Sequence, residues 1–373
     1  MQGSRKSFAI YLSLLALGGA ATIGPALAAP PKTDRQQSAL PDRETVAVMA
    51  QSARTVGDYT ELVDALTPSA SSGDLLPKDD YFREMLGWAL NRRGEVYLKH
   101  ATLAAEDGNT GESQRLDRLA IADFELAVKA DPGKWKAVHN RGTYYAVQGR
   151  LQEALRDFDR VVSLNPDYAN AWFNRAELRF DLGQYETAIR DYSEALLRDE
   201  TLHVALRKRG QSKFKLGKVR SALTDFESGL EADDSDAQLY VDRGECHRVM
   251  GNWERAAADF RRAIELQPNL SQAYQRVAWL MATCPESRFR DNAMAIRAAR
   301  QALELGDADD YQSRDVLAAA LASDGQYELA VEELQRAIGV APRDARPLLD
   351  QRLELYQNNR PYRQRVEAVA GKK

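Results

Sequence analysis

Residues 169–202 read ANAWFNRAELRFDLGQYETAIRDYSEALLRDETL. Small and aromatic residues fall at helical spacing on both sides of Gly183, the pattern of two amphipathic helices joined by a glycine turn. The same marks recur on either side. Gly149, Gly183, Gly217 and Gly251 are 34 residues apart, as are Ala154, Ala188, Ala222 and Ala256, and Phe158, Tyr192, Phe226 and Phe260. A fixed period of this length denotes a stacked array of small units, not one folded core. Such arrays build extended surfaces that hold partners.

Outward from that stretch, 135–168, 203–236 and 237–270 repeat the spacing without gaps. Pro132, Pro166 and Pro268 close three units, since proline cannot continue a helix. Ala120, Phe124, Ala127 and Pro132 match a second half whose first half is the helical stretch 87–100. About 14 extra residues lie between them, and Glu106 to Ser113 reads as a break around Gly108 and Gly111. Unit 271–310 departs at Thr283-Cys284-Pro285-Glu286, and 311–343 carries Ala318, Gly325, Tyr327, Ala330 and Ala337 in place. Strand alternation is not sustained, so the expectation is an all-α chain. Its organisation is a flexible tether with short helices over 29–78, an array over 79–343 with a first unit at 87–134, and a capping helix and tail over 344–373.

Numbered within 34 places, Trp172 stands at 4, Ala176 at 8, Gly183 at 15, Tyr185 at 17, Ala188 at 20, Tyr192 at 24 and Ala195 at 27. In these residues the unit resembles a tetratricopeptide repeat, and the resemblance spans about 87–358. It implies a right-handed superhelical solenoid of helix pairs, with a concave face lined by places 2, 5, 6, 9, 12 and 13 of each first helix.

Place 7, usually leucine in that family, holds Arg93, Arg141, Arg175, Arg209 and Arg243. The matching second-helix places hold Asp123, Asp157, Asp191, Asp225 and Asp259. Where place 7 is Val277 or Leu317, the acid place is Ala298 or Glu333. Arginine and aspartate arriving together points to contact, within a unit or across to the next. A ladder of partly buried bidentate pairs is expected to fix how the units stack, with an anion-binding row as the alternative.

The implied concave places include Asn140, Phe173, Asn174, Glu177, Phe180, Lys208, Gln211, Phe214 and Trp279. Asn140 and Asn174 could hold a peptide backbone or sugar hydroxyls, and the aromatic side chains could anchor a ligand. Arg207, Asp242, Glu245, Arg248, Gln275 and Arg276 occupy further places of that face. Of the carboxylate clamp that chaperone-binding members of the family use, only Asn174 and Lys208 have counterparts; His139, Thr143 and Val204 do not fit. That clamp is not expected.

The 373 residues are 28% charged with a net charge of −4, which gives no global field to attract nucleic acid. Two cysteines and four histidines are too few and too scattered for a metal site, and no cofactor motif is present. Cys246 reads as a small buried hydrophobe, and a bridge to Cys284 is not expected. No nucleophile–base pair emerges, so an enzyme is not expected.

Arg5 and Lys6, the apolar run Phe8 to Leu17, and Ala26-Leu27-Ala28 have the layout of a cleaved export signal over 1–28. Its removal would leave a net charge of −6. An uncleaved anchor is the alternative, and both place the array outside the cytoplasm. The expectation is a periplasmic or secreted scaffold that binds a protein or peptide segment and is not inserted in the membrane after cleavage. The competing expectation is polysaccharide binding or polymer export, with Phe173, Phe180, Phe214 and Trp279 stacking on sugar rings.

Overall fold

The computed structural model describes residues 40–68, 76–307 and 310–364. Among these there are 17 α-helices and no strand. The export signal, residues 29–39 and 69–75 of the tether and the tail beyond 364 lie outside the described residues. The chain divides into two units, one up to Arg198 and one from Asp199 onward, and each is described by itself.

The first unit holds α1 (Arg43–Ser52), α2 (Val56–Leu66), α3 (Asp80–Glu106), α4 (Thr110–Ala130), α5 (Trp135–Val147), α6 (Leu151–Leu164), α7 (Ala169–Asp181) and α8 (Tyr185–Arg198). The 34-residue period becomes a first helix of 13 residues and a second of 14. Gly183 joins α7 to α8 at φ +73°, a conformation glycine adopts without strain. Its N–H donates to Phe180 O and that of Gln184 to Arg179 O, which satisfies carbonyls the helix end leaves open.

Two expectations about the first unit are corrected. Residues 43–66 are not a tether. Thr55 and Asp58 cap α2 reciprocally, and Leu62, Val63 and Leu66 are buried in one core with Leu86, Ala89 and Leu90 of α3. The helices cover the apolar side that the first pair would otherwise expose. The extra residues near Gly108 are not a long break either. They lengthen α3 to 27 and α4 to 21 residues, with a turn only over 107–109. Leu116, Ala120 and Phe124 of α4 are buried, so α4's apolar stripe runs past the ordinary helix length and holds the two helices together.

The second unit holds α9 (His203–Lys215), α10 (Val219–Ala232), α11 (Ala237–Val249), α12 (Trp253–Leu266), α13 (Ser271–Thr283), α14 (Asn292–Leu305), α15 (Tyr311–Ser323), α16 (Tyr327–Val340) and α17 (Arg346–Gln357). A short 3-10 turn, Ser287–Phe289, carries the longer connection after α13. Phe226 and Phe260 are buried at place 24, and the facing place-8 residue is glycine. A Cβ on Gly244 would lie 2.6 Å from the Phe260 ring, so the helices approach to a distance that excludes a methyl group. In the pair α7–α8 the same place is Ala176 and the ring is Tyr192, whose hydroxyl donates to Glu177 Oε1.

Candidate partner-binding face and its ion-pair supports

Within each unit the first helices of successive pairs lie side by side, and the Arg–Asp pairs stand behind that face. Each arginine reaches its aspartate with two parallel bonds: Arg93 to Asp123 at 2.8 and 2.8 Å, Arg141 to Asp157 at 2.8 and 2.7 Å, and Arg175 to Asp191 at 2.8 and 2.7 Å in the first unit. In the second, Arg209 meets Asp225 at 3.1 and 2.8 Å and Arg243 meets Asp259 at 3.0 and 2.7 Å. All five join the two helices of one pair. The five aspartates are buried. Arg175 adds a bond across to the preceding pair, to Asp159 at 2.8 Å, and Asp191 accepts a further one from Arg179 at 2.7 Å. Bidentate geometry with the carboxylate out of water favours a structural role over an anion site.

On the first unit's face, the expected ligand residues are mostly committed to one another. The Asn140 amide donates to Asn91 Oδ1 at 2.9 Å and Glu95 Oε1 at 3.0 Å. Asn174 lies 3.0 Å from His139 Nε2, and burial holds the His139 imidazole neutral by drawing its pKa down to about 4. Phe173 is 1% exposed, tilted against Tyr192 with ring centroids 5.8 Å apart. Glu177 is buried, and Phe180 stands edge-on to Tyr185 at 5.3 Å. Phe173, Asn174 and Glu177 therefore correct the sequence expectation. They sit between helices, because place 5 and its neighbours face the next first helix as much as the solvent.

The second unit's face is built from charge. Gln211 donates to Asp242 at 2.8 Å. Arg248 makes two bonds to Glu245, at 2.8 and 2.7 Å. Arg207 Nε stands 3.7 Å from Asp236 and Arg276 Nε 3.8 Å from Glu245. Both nitrogens are shielded from water without a hydrogen-bond acceptor. Burial pushes the Asp242 carboxyl up to about 6 against the pull of Arg207. Burial acts the same way on Glu245, but Arg276 and Arg248 outweigh it and hold that group at about 2. Lys208 is half-buried, and Phe214 packs into the core with Val219 and Phe226. Trp279 is covered: Tyr362 lies against it at 5.7 Å, and Arg352 sits over the ring at 5.4 Å. Trp279 and Phe214 are thus half-buried, each with part of its ring against protein and not projecting freely.

Residues 139–201 and 207–271 match the tetratricopeptide-repeat family profile, the same stretch that carries the glycine turns and four of the five Arg–Asp pairs. Over these residues the chain is a tetratricopeptide-repeat array. Its solved neighbours include a tetratricopeptide repeat protein from Parabacteroides merdae, at 19% identity and TM-score 0.53, covering 71% of this chain and 99% of that one. The Cut9–Hcn1 hetero-tetramer of the APC/C aligns at 16% identity and TM-score 0.54, over 84% of this chain and 68% of that one. At these identities the likeness shows the all-α tetratricopeptide solenoid and nothing finer. No curated protein matches the sequence. Tetratricopeptide repeats in general serve as protein–protein interaction scaffolds, and the fold suggests that coarse role here.

The cysteines are both free and buried, and burial pushes the Cys246 thiol far up, which leaves it an unreactive filler. Sequence reasoning missed two structural groups. Arg352 of α17 pairs bidentately with the buried Asp315 of α15 at 2.9 and 2.7 Å. Arg314 reaches Glu333 at 2.9 Å, so the pair that lacks the ladder arginine has an ion pair from a different place. Arg352 and Asp315 lie outside the 34-residue spacing used to find the others, whereas Glu333 holds the in-frame acid place and only its arginine comes from elsewhere.

Proposed function

We propose that this tetratricopeptide-repeat protein is a non-enzymatic adaptor of the cell envelope that holds an extended segment of a protein partner along the first-helix face of its second unit. The observation that carries this reading is the pair of guanidinium nitrogens, Arg207 Nε and Arg276 Nε, shielded from water with no acceptor. Buried donors of this kind are rarely left unmet. On turning outward, the two guanidiniums would present these donors to main-chain carbonyls or an acidic side chain of a bound segment. The carboxylates of Asp242 and Glu245 hold the arginines in place and keep the face from being a plain anion trap.

Polysaccharide stacking loses its support, because Phe173, Phe180, Phe214 and Trp279 all pack against protein. The envelope location rests on the 1–28 leader. Among the described residues no helix is long and apolar enough to cross a membrane. Recovery of a mature chain that begins at Ala29 from the envelope fraction would support export, and a cytoplasmic chain that retains Met1 would reject it.

The partner is tested by placing a photo-crosslinking residue at Lys208, with a control at the exposed Arg261 of α12, in the chain's own host. A reproducible protein adduct from position 208 and not from 261 is expected. Equal labelling from both positions, or a carbohydrate-bearing smear, would overturn the adaptor reading.

A further inference from the structure

The end of the described chain turns back onto the first-helix face just assigned to a partner, at Trp279 of α13 and Arg248 of α11 and not at Arg207 or Arg276. Helix α17 stops at Gln357, and Asn359 takes φ +51°. Arg360 N donates to Leu355 O and Asn359 N to Tyr356 O, the bond pattern of a left-handed helix stop. Pro361 follows and keeps the next residues extended. That reversal delivers 361–364 to the C-terminal end of α13.

The seat there is unlike the end of any first helix that stops in a glycine turn. After Thr283 the chain leaves through Cys284, at φ −55° and ψ 131°, into Pro285, which has no N–H to offer. The last carbonyls of α13 are left open. The returning segment fills them: Gln364 N donates to Thr283 O at 3.0 Å, and Arg363 Nη1 donates to Ala282 O at 2.9 Å. A cation is favoured at the negative end of the helix. Tyr362 lies on Trp279. Arg248 of α11 donates to Gln364 Oε1 at 2.6 Å, while the Gln364 Nε2 atom is buried without a partner.

We propose that Pro361–Gln364 is a resident, displaceable ligand of the second unit's first-helix face, and that the partner it yields to presents an extended segment of the same chemistry: an aromatic ring, then a basic side chain, then an amide. The contacts divide as they do when a groove takes a peptide, with main-chain bonds for affinity and side-chain seats for choice. Apart from Tyr362, which packs on Trp279 with Arg352 over its ring, they are few and polar, and one amide nitrogen of the segment is unmet, so the tether supplies much of the hold. A tether of this kind supplies an effective concentration on the order of millimolar, enough to shield the face until a tighter segment arrives.

This inference rests on the face being a partner's seat, and the two fail separately. Crosslinking at position 208 tests the partner; a peptide tests the resident segment. The probe is a fluorescent synthetic peptide of residues 358–373, measured by anisotropy against the full chain. The wild-type chain should bind it at least about tenfold more weakly than the double variant Tyr362→Ala/Gln364→Ala, whose seat is vacated. Adding Trp279→Ala should remove the gain. Equal affinity for wild type and double variant, or no binding by a double variant that still melts cooperatively, would overturn the proposal and leave the segment a plain cap. Should the double variant not fold, the wild-type chain decides: excess unlabelled peptide should speed hydrogen exchange at the Gln364 amide. An unchanged rate overturns the proposal.

Discussion

The two units solve one packing problem with different chemistry. Where first helices meet in the first unit, the contacts are amide and imidazole with one carboxylate: Asn140 with Asn91 and Glu95, and Asn174 with His139. In the second unit they draw more on charge: Gln211 to Asp242 and Arg276 near Glu245, beside one neutral pair, Gln238 to Gln272. Neutral amide pairs satisfy each other and close the surface. Guanidinium–carboxylate rows keep surplus donors, and a row with surplus donors can take a ligand. The second unit is therefore the better candidate for binding, a distinction that place numbers alone, which select residues in both units, do not make.

The ion-pair ladder is common to both units and gives the largest expected effect. Asp191 holds two guanidiniums, Arg175 and Arg179. Asp259 holds only Arg243, which also lies over the Tyr240 ring and keeps a quarter of its side chain exposed. Asp191→Asn should cost about 3 kcal/mol or more, because a buried cation loses its partner. Asp259→Asn should cost about half of that, since Arg243 can turn to water. Urea unfolding of both variants compares them. A pair of substitutions that leaves stability intact while altering partner capture would reverse the structural assignment of the ladder.

The next effect separates two repeats by one methyl group. Gly244→Ala pushes a Cβ into the Phe260 ring and should cost about 2 kcal/mol through overpacking. Ala176→Gly, in the repeat whose ring is the tyrosine bonded to Glu177, should cost only about 1 kcal/mol, the helix-propensity difference. Thermal melts that rank the two the other way would mean that the ring at place 24 moves aside more easily than its burial implies.

Mild acid should move the units in opposite directions. His139 has its pKa lowered by burial to about 4, so the unfolded chain binds a proton near pH 6.5 that the folded chain refuses. Stability is complete above that pH and is lost as pH falls toward 4. Asp315 has its pKa raised by burial to about 6 despite Arg352. The folded chain therefore accepts a proton that the unfolded chain declines until near pH 4, and stability rises as pH falls through 6. From pH 7 to 5 the opening free energy of α5 and α7 should fall by about 2 kcal/mol, and that of α15 and α17 should rise by about 1 kcal/mol. Helix α11 is a poor reporter, because Asp242 has a raised pKa and His247 a lowered one, and the two oppose each other. Hydrogen exchange resolved by helix is the measurement. Changes of one sign throughout would break the contrast.

Much of this was legible in the sequence for a physical reason. A 34-residue period repeats the same short-range contacts, so Gly183, Ala188 and Tyr192 each declare a local role. The joint presence of Arg175 with Asp191, and its absence at Val277 with Ala298, marked a contact before any coordinates. Place numbers failed where burial depends on distant chain. Trp279 is covered by Tyr362, a residue far along the sequence that no local pattern connects to it. Tyr59, Leu62, Val63 and Leu66 showed a helical stripe, but only α3 reveals what the stripe covers. Gly108 looked like a break because glycine ends helices, whereas the flanking apolar residues carry both helices almost to it.

The smallest effect bears on the turn that makes the second unit's face different. In the first unit the stop after α7 is Gly183, at φ +73°. The stop after α17 is Asn359, at φ +51°, the one non-glycine residue with positive φ among those described. Asparagine tolerates this region at a modest cost that glycine avoids. Asn359→Gly should therefore relieve the backbone in the folded state and loosen the chain in the unfolded one, for a net change of only a few tenths of a kcal/mol. Asn359→Val should cost about 1 kcal/mol or more, because a β-branched side chain resists positive φ. The informative readout is not the global melt but the exchange rate of the Gln364 amide, which reports whether the segment still reaches Thr283. If the valine variant keeps that amide protected, the segment is held by its own contacts and not delivered by the turn. The tether argument for a displaceable ligand would then need a stronger seat than Trp279, Arg248 and two carbonyls provide.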